Sequence, residues 1–251
     1  MEPIGRMYGG RAVFLPPSPP CPAPVSGYVL FVDTETSGLP ADWRRPYAEP
    51  GAWPHVAQIA WLLYGPGGEL VKTENHYVRP NDYDLSPAST QIHGLTLAFL
   101  QAQGKPRREV MQRLHDDLVR YQPLVVGHFL VLDFHMMGVS FHRSGLPNPI
   151  VDLGLPTFCT MRLTERFMQP MRQQYLRLAD LYQRQFGRPM LRQHDALADA
   201  EATAQCYYEL LRTGDIDAEA LASQAPLAPP PTHAALAAAR RPFWKYWLGM
   251  I

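Results

Sequence analysis

The amino-acid sequence predicts a three-layer α/β domain built around a mixed β-sheet. Two short and continuously apolar segments, residues 28–32 and 123–127, are typical of strands that are covered on both faces. Residues 56–64 and 70–79 are predicted to form a hairpin, and helical stripes follow later in the chain. A hairpin followed by alternating strands and helices favours a sheet with helices packed against it.

Four strands are predicted in chain order. The first ends at Asp33, so this acid is expected where the strand runs out. The two hairpin strands are joined across residues 65–68, whose three glycines and one proline favour a tight connection. The fourth strand is the second apolar segment.

Four helices are predicted from apolar residues that recur at helical spacing. One spans residues 107–121, and the next follows the fourth strand and carries Asp133 in its early part. Two further stripes predict a helix that ends at Gly187 and a last helix over 197–211, with Asp195 as its N-cap.

Composition divides the chain into three parts. Residues 1–26 contain a proline-rich run and are expected to form an extended, mobile leader. Residues 27–214 hold all the predicted elements and are expected to be the globular domain. Residues 215–251 are an Ala/Pro-rich linker with an aromatic tail at 240–251. Docking of the tail on its own domain is favoured, while another protein or a membrane surface stays open as its partner.

The overall composition is that of a globular protein without net charge. Hydrophobic residues make up 46% of the chain, which is enough for a core. No signal pattern is present, and no apolar run approaches the ~20 residues that a membrane span requires, so a cytoplasmic location is expected. The three cysteines are far apart, which argues against a zinc knuckle or a disulfide framework.

One stretch is basic although the whole chain is neutral. Residues 161–193 hold seven arginines against two acids. This stretch is either a solvated helical face or a track for phosphate groups, and its composition does not separate the two.

The segment Asp33-Thr34-Glu35 places two carboxylates on the same side of an extended chain, because side chains at i and i+2 share a face. Such a pair repels itself unless a cation lies between the groups, and Mg²⁺ and Mn²⁺ take oxygen ligands. Two ions ~4 Å apart can hold the attacking and the leaving oxygen of a phosphodiester. An isolated Asp-x-Glu pair is nevertheless more often a helix cap or a turn.

Further motifs occur in one order along the chain. They are Thr36-Ser37-Gly38-Leu39, Ile92-His93-Gly94-Leu95-Thr96, Gly127-His128 with Asp133, and His194 five residues before Asp199. Together with Asp33 and Glu35 they resemble the DEDDh (DnaQ-like) family of 3′-to-5′ exonucleases over residues 28–211. The resemblance implies a ribonuclease H-like fold, with a mixed five-stranded sheet flanked by helices.

The resemblance also implies roles for the acids. Asp33 resembles the carboxylate that bridges two divalent cations, Mg²⁺ or Mn²⁺, and Glu35 and Asp199 resemble further ligands of the ion that activates water. Asp133 is similar to the acid that serves the other ion. His194 matches the general base that removes a proton from the attacking water, a role that suits imidazole near neutral pH.

The same resemblance implies a set of substrate-binding residues. They are Thr36, Ser37, Gly38, Leu39, His128 and Phe129. The first four match the segment that receives the terminal 3′ nucleotide, with Leu39 wedged against bases. Members of the family commonly carry Asn where this chain has Phe129, and the missing amide puts rate or substrate preference in doubt. Asp195 departs from the pattern too, by adding negative charge near the metals, and His93 is expected to be structural.

These residues predict a two-metal 3′-to-5′ exonuclease that releases nucleoside 5′-monophosphates, preferably from single strands. DNA is favoured as substrate over RNA or short oligoribonucleotides, and roles in proofreading, repair or RNA maturation stay open. A module that binds nucleic acid without cleaving it is a second hypothesis, disfavoured because every metal-site carboxylate is present.

The long connection at residues 40–54 is a candidate for substrate selection. Its aromatic residues, Trp43, Tyr47 and Trp53, either stack on bases or pack over the core. Packing over the core is the more common outcome for such side chains.

Overall fold

The computed structural model describes residues 27–168 and 175–232, together with the backbone of two short paired strands, β1 (Met7–Tyr8) and β2 (Arg11–Ala12). The proline-rich run of the leader, Arg172 and the aromatic tail at 240–251 lie outside the described residues. The predictions made for those parts therefore stay predictions.

A mixed five-stranded sheet forms the centre of the domain. Its strands are β3 (Val29–Thr36), β4 (Val56–Tyr64), β5 (Leu70–Tyr77), β6 (Leu124–Gly127) and β7 (Thr157–Cys159). Their order in the sheet is β5-β4-β3-β6-β7. The pairs β3–β4 and β4–β5 are antiparallel, whereas β6 runs parallel to β3, and β7 parallel to β6. The predicted mixed sheet is confirmed.

In the described part of the chain, helices lie between the later strands and after the last one. They are α1 (Pro87–His93), α2 (Leu97–Gln103), α3 (Arg107–Tyr121), α4 (Leu130–Ser144), α5 (Pro149–Asp152), α6 (Thr160–Leu163), α7 (Glu165–Met168), α8 (Leu178–Phe186), α9 (Ala196–Thr213) and α10 (Ala218–Ser223). None of these helices is long and apolar enough to cross a membrane.

The two faces of the sheet carry different helices. Because side chains alternate along a strand, Leu30 and Val32 of β3 point to one face, where they pack with apolar residues of α3 and α4. Val29 and Phe31 point to the other face and pack with α8 and α9. The result is the three-layer arrangement that the sequence predicts.

Several short elements escape the sequence prediction. The strand β7 has three residues, and α1 and α2 have seven each, which is too short for a clear hydrophobic period. Local signals for the two helices exist, because Ser86 and Thr96 accept hydrogen bonds from the backbone as N-caps, and Gly94 ends α1 with a φ of 73°.

The start of α4 depends on a glycine at the end of β6. A Cβ atom on Gly127 would lie 2.9 Å from Cδ1 of Leu130 and 3.3 Å from the carbonyl oxygen of Val32. The absent side chain therefore lets α4 approach β3 closely.

The chain after α9 stays in contact with the domain. Ile216 and Ala220 are buried in the cluster formed with α8 and α9. The side-chain amide of Gln224 accepts from the N–H of Cys159 (2.8 Å) and donates to its carbonyl (2.9 Å), so it covers the outer edge of β7. Residues 216–224 are thus attached to the domain, although the sequence predicts a linker from 215.

Candidate active site

Asp33 and Glu35 lie within β3 and not beyond its end, which corrects the predicted strand boundary. The strand continues to Thr36 because β4 stays paired with it, with Asp33 opposite Ala60 and Glu35 opposite Gln58. On the other side of β3, the pairing with β6 stops at Phe31. Both acids therefore extend past the carboxyl end of β6, where the sheet is open on one side.

The N-terminus of α9 brings Asp199 and His194 to the same place. The predicted N-cap is confirmed, because Oδ1 of Asp195 accepts from the N–H of Ala198 at 3.0 Å. The N–H of His194 donates to Oδ2 of Asp199 at 3.2 Å. Ligand atoms of Glu35, His194 and Asp199 all lie within 4.8 Å of one another.

Asp133 approaches from the other face of the sheet. It lies in the first turn of α4, is buried, and its Oδ1 accepts from the hydroxyl of Thr34 at 2.7 Å. Thr34 points away from the face that carries its neighbours Asp33 and Glu35. This hydrogen bond thus holds the carboxylate of Asp133 against β3, near the carboxyl end of β6.

Burial and mutual repulsion raise the pKa values of all four acids. The pKa of Asp33 lies well above its ordinary value because of burial and then the charges of Asp133, Asp199 and Glu35. Burial first, and then the charge of Asp199, raise the pKa of Glu35 to about 8. Burial raises the pKa of Asp133 and that of Asp199 to about 7 each. A nearby positive charge would favour the ionised form of all four groups.

Asp195 adds to this repulsion, as the sequence predicts. Its charge raises the pKa of Asp33, of Glu35 and of Asp199. Its carboxylate also caps α9, so Asp195 has a structural role that does not depend on its charge near the other acids.

The donor set fits a divalent cation. Oδ1 of Asp199 is buried and has no hydrogen-bond partner among the described residues, although a buried carboxylate oxygen normally has one. Carboxylate oxygens are the preferred ligands of Mg²⁺ and Mn²⁺, and a cation would offset the repulsion within the cluster. Glu35, His194 and Asp199 are close enough to share one ion.

The segment 36–39 continues directly from Glu35 and is held by its own hydrogen bonds. The hydroxyl of Thr36 donates to the carbonyl of Gly38 (2.6 Å), and Oγ of Ser37 accepts from the N–H of His55 (2.9 Å). Leu39 is 72% exposed at the end of this segment. An apolar side chain held open to solvent beside the acids is available for contact with a substrate.

His93 has a structural contact to this segment. Its Nδ1 accepts from the N–H of Leu95 at 3.0 Å, which leaves Nε2 to carry the proton and donate to the carbonyl of Thr36 at 3.3 Å. The expected structural role is supported, because the side chain positions the backbone next to Glu35.

His128 and Phe129 occupy different environments. The ring of His128 bridges two segments, with Nε2 3.1 Å from the carbonyl of Leu176 and Nδ1 3.0 Å from the hydroxyl of Thr160. Burial lowers the pKa of His128 to about 4, so the ring is neutral and both nitrogens serve the protein. Phe129 is 36% exposed and has a φ of 66°.

Two residues that position the site were not singled out from the sequence. One is Thr34, and the other is Gln58, whose Nε2 donates to Asn75 (3.0 Å) and whose Oε1 lies 3.5 Å from the N–H of Ala196. Gln58 is buried between Glu35 and the start of α9. A polar residue in the otherwise apolar strand β4 was the available signal.

The connection at residues 40–54 packs on α4. Trp53 is 2% exposed and donates from Nε1 to the carbonyl of Arg45, and the hydroxyl of Tyr47 lies 2.8 Å from Nδ1 of His135. Packing over the core, the more common of the two outcomes considered, therefore applies to these two residues. Trp43 packs less deeply, 6.2 Å from the ring of Phe129.

The fold is ribonuclease H-like, and a cluster of acids with a histidine lies at one edge of its sheet. The chain belongs to the exonuclease family RNase T, which it matches over residues 30–207. The exonuclease family implies a hydrolytic reaction that depends on a divalent metal. A search of curated proteins found no match.

Solved structures of exonuclease I share this fold. One has a TM-score of 0.61 and 20% identity, and the match covers 74% of this chain and 41% of that one. The zinc-bound form of an E. coli exonuclease I complex with single-stranded DNA gives the same values. A complex of the E. coli enzyme with a dT13 oligonucleotide has a TM-score of 0.60 and 20% identity, over 75% of this chain and 43% of that one. This chain thus spans about two fifths of their length.

Proposed function

We propose that this protein is a metal-dependent exonuclease that removes nucleotides from the 3′ end of single-stranded DNA and releases nucleoside 5′-monophosphates. The observation that carries the proposal is the convergence of Asp33, Glu35, Asp133 and Asp199 with His194 at one open sheet edge. The oligonucleotides bound by the structurally similar E. coli exonuclease I support DNA as the substrate.

The four carboxylates are the proposed ligands of two Mg²⁺ or Mn²⁺ ions. Asp33 is assigned to both ions, Glu35 and Asp199 to one, and Asp133 to the other. When bound, such ions lower the pKa of water and stabilise the charge that develops on the phosphodiester. The buried oxygen of Asp199 that lacks a hydrogen bond to any described residue supports its assignment as a ligand.

His194 is the proposed general base. Its side chain is exposed, and its ring has a nitrogen within 4.8 Å of carboxylate oxygens of Glu35 and Asp199. A neutral imidazole in that position accepts the proton of the attacking water as the new P–O bond forms. The bond to the 3′ oxygen of the preceding nucleotide then breaks, and the terminal nucleotide leaves with the phosphate.

The terminal nucleotide is assigned to the segment 36–39. Leu39 offers an exposed apolar side chain for the base, and the hydrogen bonds of Thr36 and Ser37 keep the segment close to Glu35. His128 and Phe129 stay proposed as substrate contacts, through the ring carbons in the case of His128.

The test is a gel time course on 5′-labelled single-stranded DNA and RNA of one sequence, with Mg²⁺ or Mn²⁺. Wild-type protein should shorten the DNA stepwise from its 3′ end, and Asp33→Ala should not. Asp152→Ala, which removes an exposed carboxylate from α5, is the matched control and should behave as wild type. Faster shortening of RNA would reassign the substrate to RNA, and cleavage of neither strand would favour a module that only binds.

A further inference from the structure

A cavity of about 310 Å³ lies beside β7 and reaches residues that follow the carboxyl ends of β6 and β7. Phe129 and Arg162 are among its lining residues, and each follows the carboxyl end of a strand, β6 or β7 respectively. Because β6 and β7 are parallel to β3, these ends share the edge with Asp33 and Glu35. β7 lies two strands from β3, a separation of about 10 Å.

The wall of this cavity suits the flat face of a nucleobase. It includes the side chains of Phe129, Met161 and Leu227, so it is mostly apolar. The ring of Phe129 is partly exposed and stands edge to face with Trp43, which holds its orientation. Bases of a single strand stack on aromatic side chains of this kind without regard to sequence.

Arg162 supplies the charge at this cavity. Two other arginines of the basic stretch are engaged, because Arg184 lies over the ring of Phe167, and Arg192 lies 3.6 Å from Glu201. Arg162 is exposed, and in residues 27–168 and 175–232 its guanidinium has neither an acidic nor an aromatic partner.

Arg162 also lines a neighbouring cavity of about 380 Å³, together with Arg166 and a single acid, Glu165. Arg162 therefore lies between the apolar cavity and a surface with two arginines and one acid. A strand that leaves the acids along this edge would carry its bases past the apolar wall and its phosphates past Arg162.

We infer that this cavity is a subsite for the single strand on the 5′ side of the nucleotide being removed. A base of that strand stacks on Phe129, and its phosphate pairs with Arg162. The inference rests on the proposed function, since it takes the terminal nucleotide to lie at the acids. It also selects one arginine of the basic stretch as the phosphate contact.

The test measures binding and cleavage separately. Binding of a labelled single-stranded DNA 8-mer is followed by fluorescence anisotropy in EDTA, over a range of salt concentrations. Cleavage is compared for the 8-mer and for the p-nitrophenyl ester of thymidine 5′-monophosphate, which is too short to reach the cavity. Arg162→Gln is compared with Arg120→Gln, an exposed arginine of α3 next to the opposite, amino end of β6.

Arg162→Gln should raise the Kd of the 8-mer about 5-fold and reduce the slope of log Kd against log salt by about 0.7, the value for one phosphate contact on a single strand. Its kcat/KM should fall several-fold more for the 8-mer than for the ester. Phe129→Gly, which removes the ring and suits the left-handed backbone, should weaken 8-mer binding by about 5-fold or more. Arg120→Gln should match wild type.

Wild-type affinity and salt slope in Arg162→Gln would overturn the subsite, as would an equal loss of activity on both substrates. Failure of the proposed function would look different. Binding that depends on Arg162, with no cleavage of either substrate, would uphold the subsite and reject the exonuclease.

Discussion

At the scale of single residues, the hydroxyl of Thr34 orients Asp133, the least exposed acid of the site. It donates to Oδ1 of Asp133 at 2.7 Å, and this hydrogen bond lowers the pKa of a carboxyl group that burial raises. Thr34 touches neither the water nor the phosphate in the proposed reaction. It is a positioning residue, because it orients a ligand and favours its ionised form.

Replacement of Thr34 by valine should therefore weaken metal binding while the fold stays intact. The side chains have the same shape, but Asp133 loses the hydroxyl donor, so the Mn²⁺ concentration that gives half-maximal activity should rise about 10-fold or more. Mn²⁺ titration of the cleavage rate makes the measurement, with Thr73→Val in β5 as the control. An unchanged Mn²⁺ requirement with a lower maximal rate would show that Thr34 affects the reaction itself and not metal binding.

Replacement of His194 by alanine should reduce turnover and leave DNA affinity nearly unchanged. A general base contributes about 10²–10⁴-fold to a rate, whereas an exposed side chain of this kind contributes little to the binding of a polyanion. Single-turnover kinetics and anisotropy separate the two quantities, and His142→Ala on the surface of α4 is the control. Equal losses of rate and affinity would identify a structural histidine.

At the scale of secondary-structure elements, the approach of α4 to β3 places Asp133. The helix starts three residues after Gly127, where a Cβ atom would crowd Leu130 at 2.9 Å and the carbonyl of Val32 at 3.3 Å. The distance between these two elements thus decides whether the acid on one can act with Asp33 and Glu35 on the other.

The substitution Gly127→Ala should push α4 away from β3. We expect the free energy of unfolding to fall by about 1–3 kcal/mol, the usual cost of overpacking, and the cleavage rate to fall with it. Denaturant unfolding measures the first quantity, with Gly38→Ala as the control because a Cβ there meets nothing within 4 Å. A variant as stable as wild type would show that the contact is easily relieved.

The elements that the sequence predicts are the long ones with a clear period. The helices α3 and α9 were expected at 107–121 and 197–211 and are found at Arg107–Tyr121 and Ala196–Thr213. The strand β3 extends three residues beyond its predicted end at Asp33, because its pairing with β4 continues past the polar residues. Hydrophobicity cannot signal that extension, since a catalytic edge is polar by necessity.

The residues of the candidate site were predictable from motifs, but the residues that position them were not. The motif around His194 and Asp199 indicates an acid–histidine pair, and the structure brings both to Glu35. The contacts of Thr34 and Gln58 join residues 99 and 138 positions apart, which no local pattern encodes. They follow from the register of the sheet and from the faces that α4 and α9 cover.

At the scale of the whole molecule, the site is a concentration of negative charge in a chain with no net charge. The raised pKa values mean that the folded protein, without metal, holds protons that the unfolded chain releases near pH 4. The corresponding stability is fully present below about pH 4. It is lost as the pH rises through about 7 to 8, because ionisation then costs more in the folded state.

The substitution Glu35→Gln should reveal this dependence. In EDTA the variant and wild type should have similar stability at about pH 4, where Glu35 is protonated in the folded protein and mostly protonated in the unfolded chain. At pH 8.5 the variant should be more stable by at least about 1 kcal/mol, because it carries no charge to repel the other acids. Thermal unfolding at both pH values makes the comparison.

At pH 8.5, divalent metal should make wild type more stable than Glu35→Gln. A cation that binds only the folded protein stabilises it by mass action, and wild type keeps the ligand that the variant lacks. Adding Mn²⁺ should therefore raise the melting temperature of wild type more than that of Glu35→Gln. Equal rises in the melting temperatures of the two proteins would show that Glu35 does not bind the metal.

The most direct test of a metal-dependent exonuclease centre is the product formed when Mn²⁺ is added to metal-free protein with single-stranded DNA. We predict that nucleoside 5′-monophosphates appear at once as the first product, that none form before the addition, and that Asp33→Ala forms none afterwards. Release of longer fragments first, or equal release by wild type and Asp33→Ala, would contradict the account.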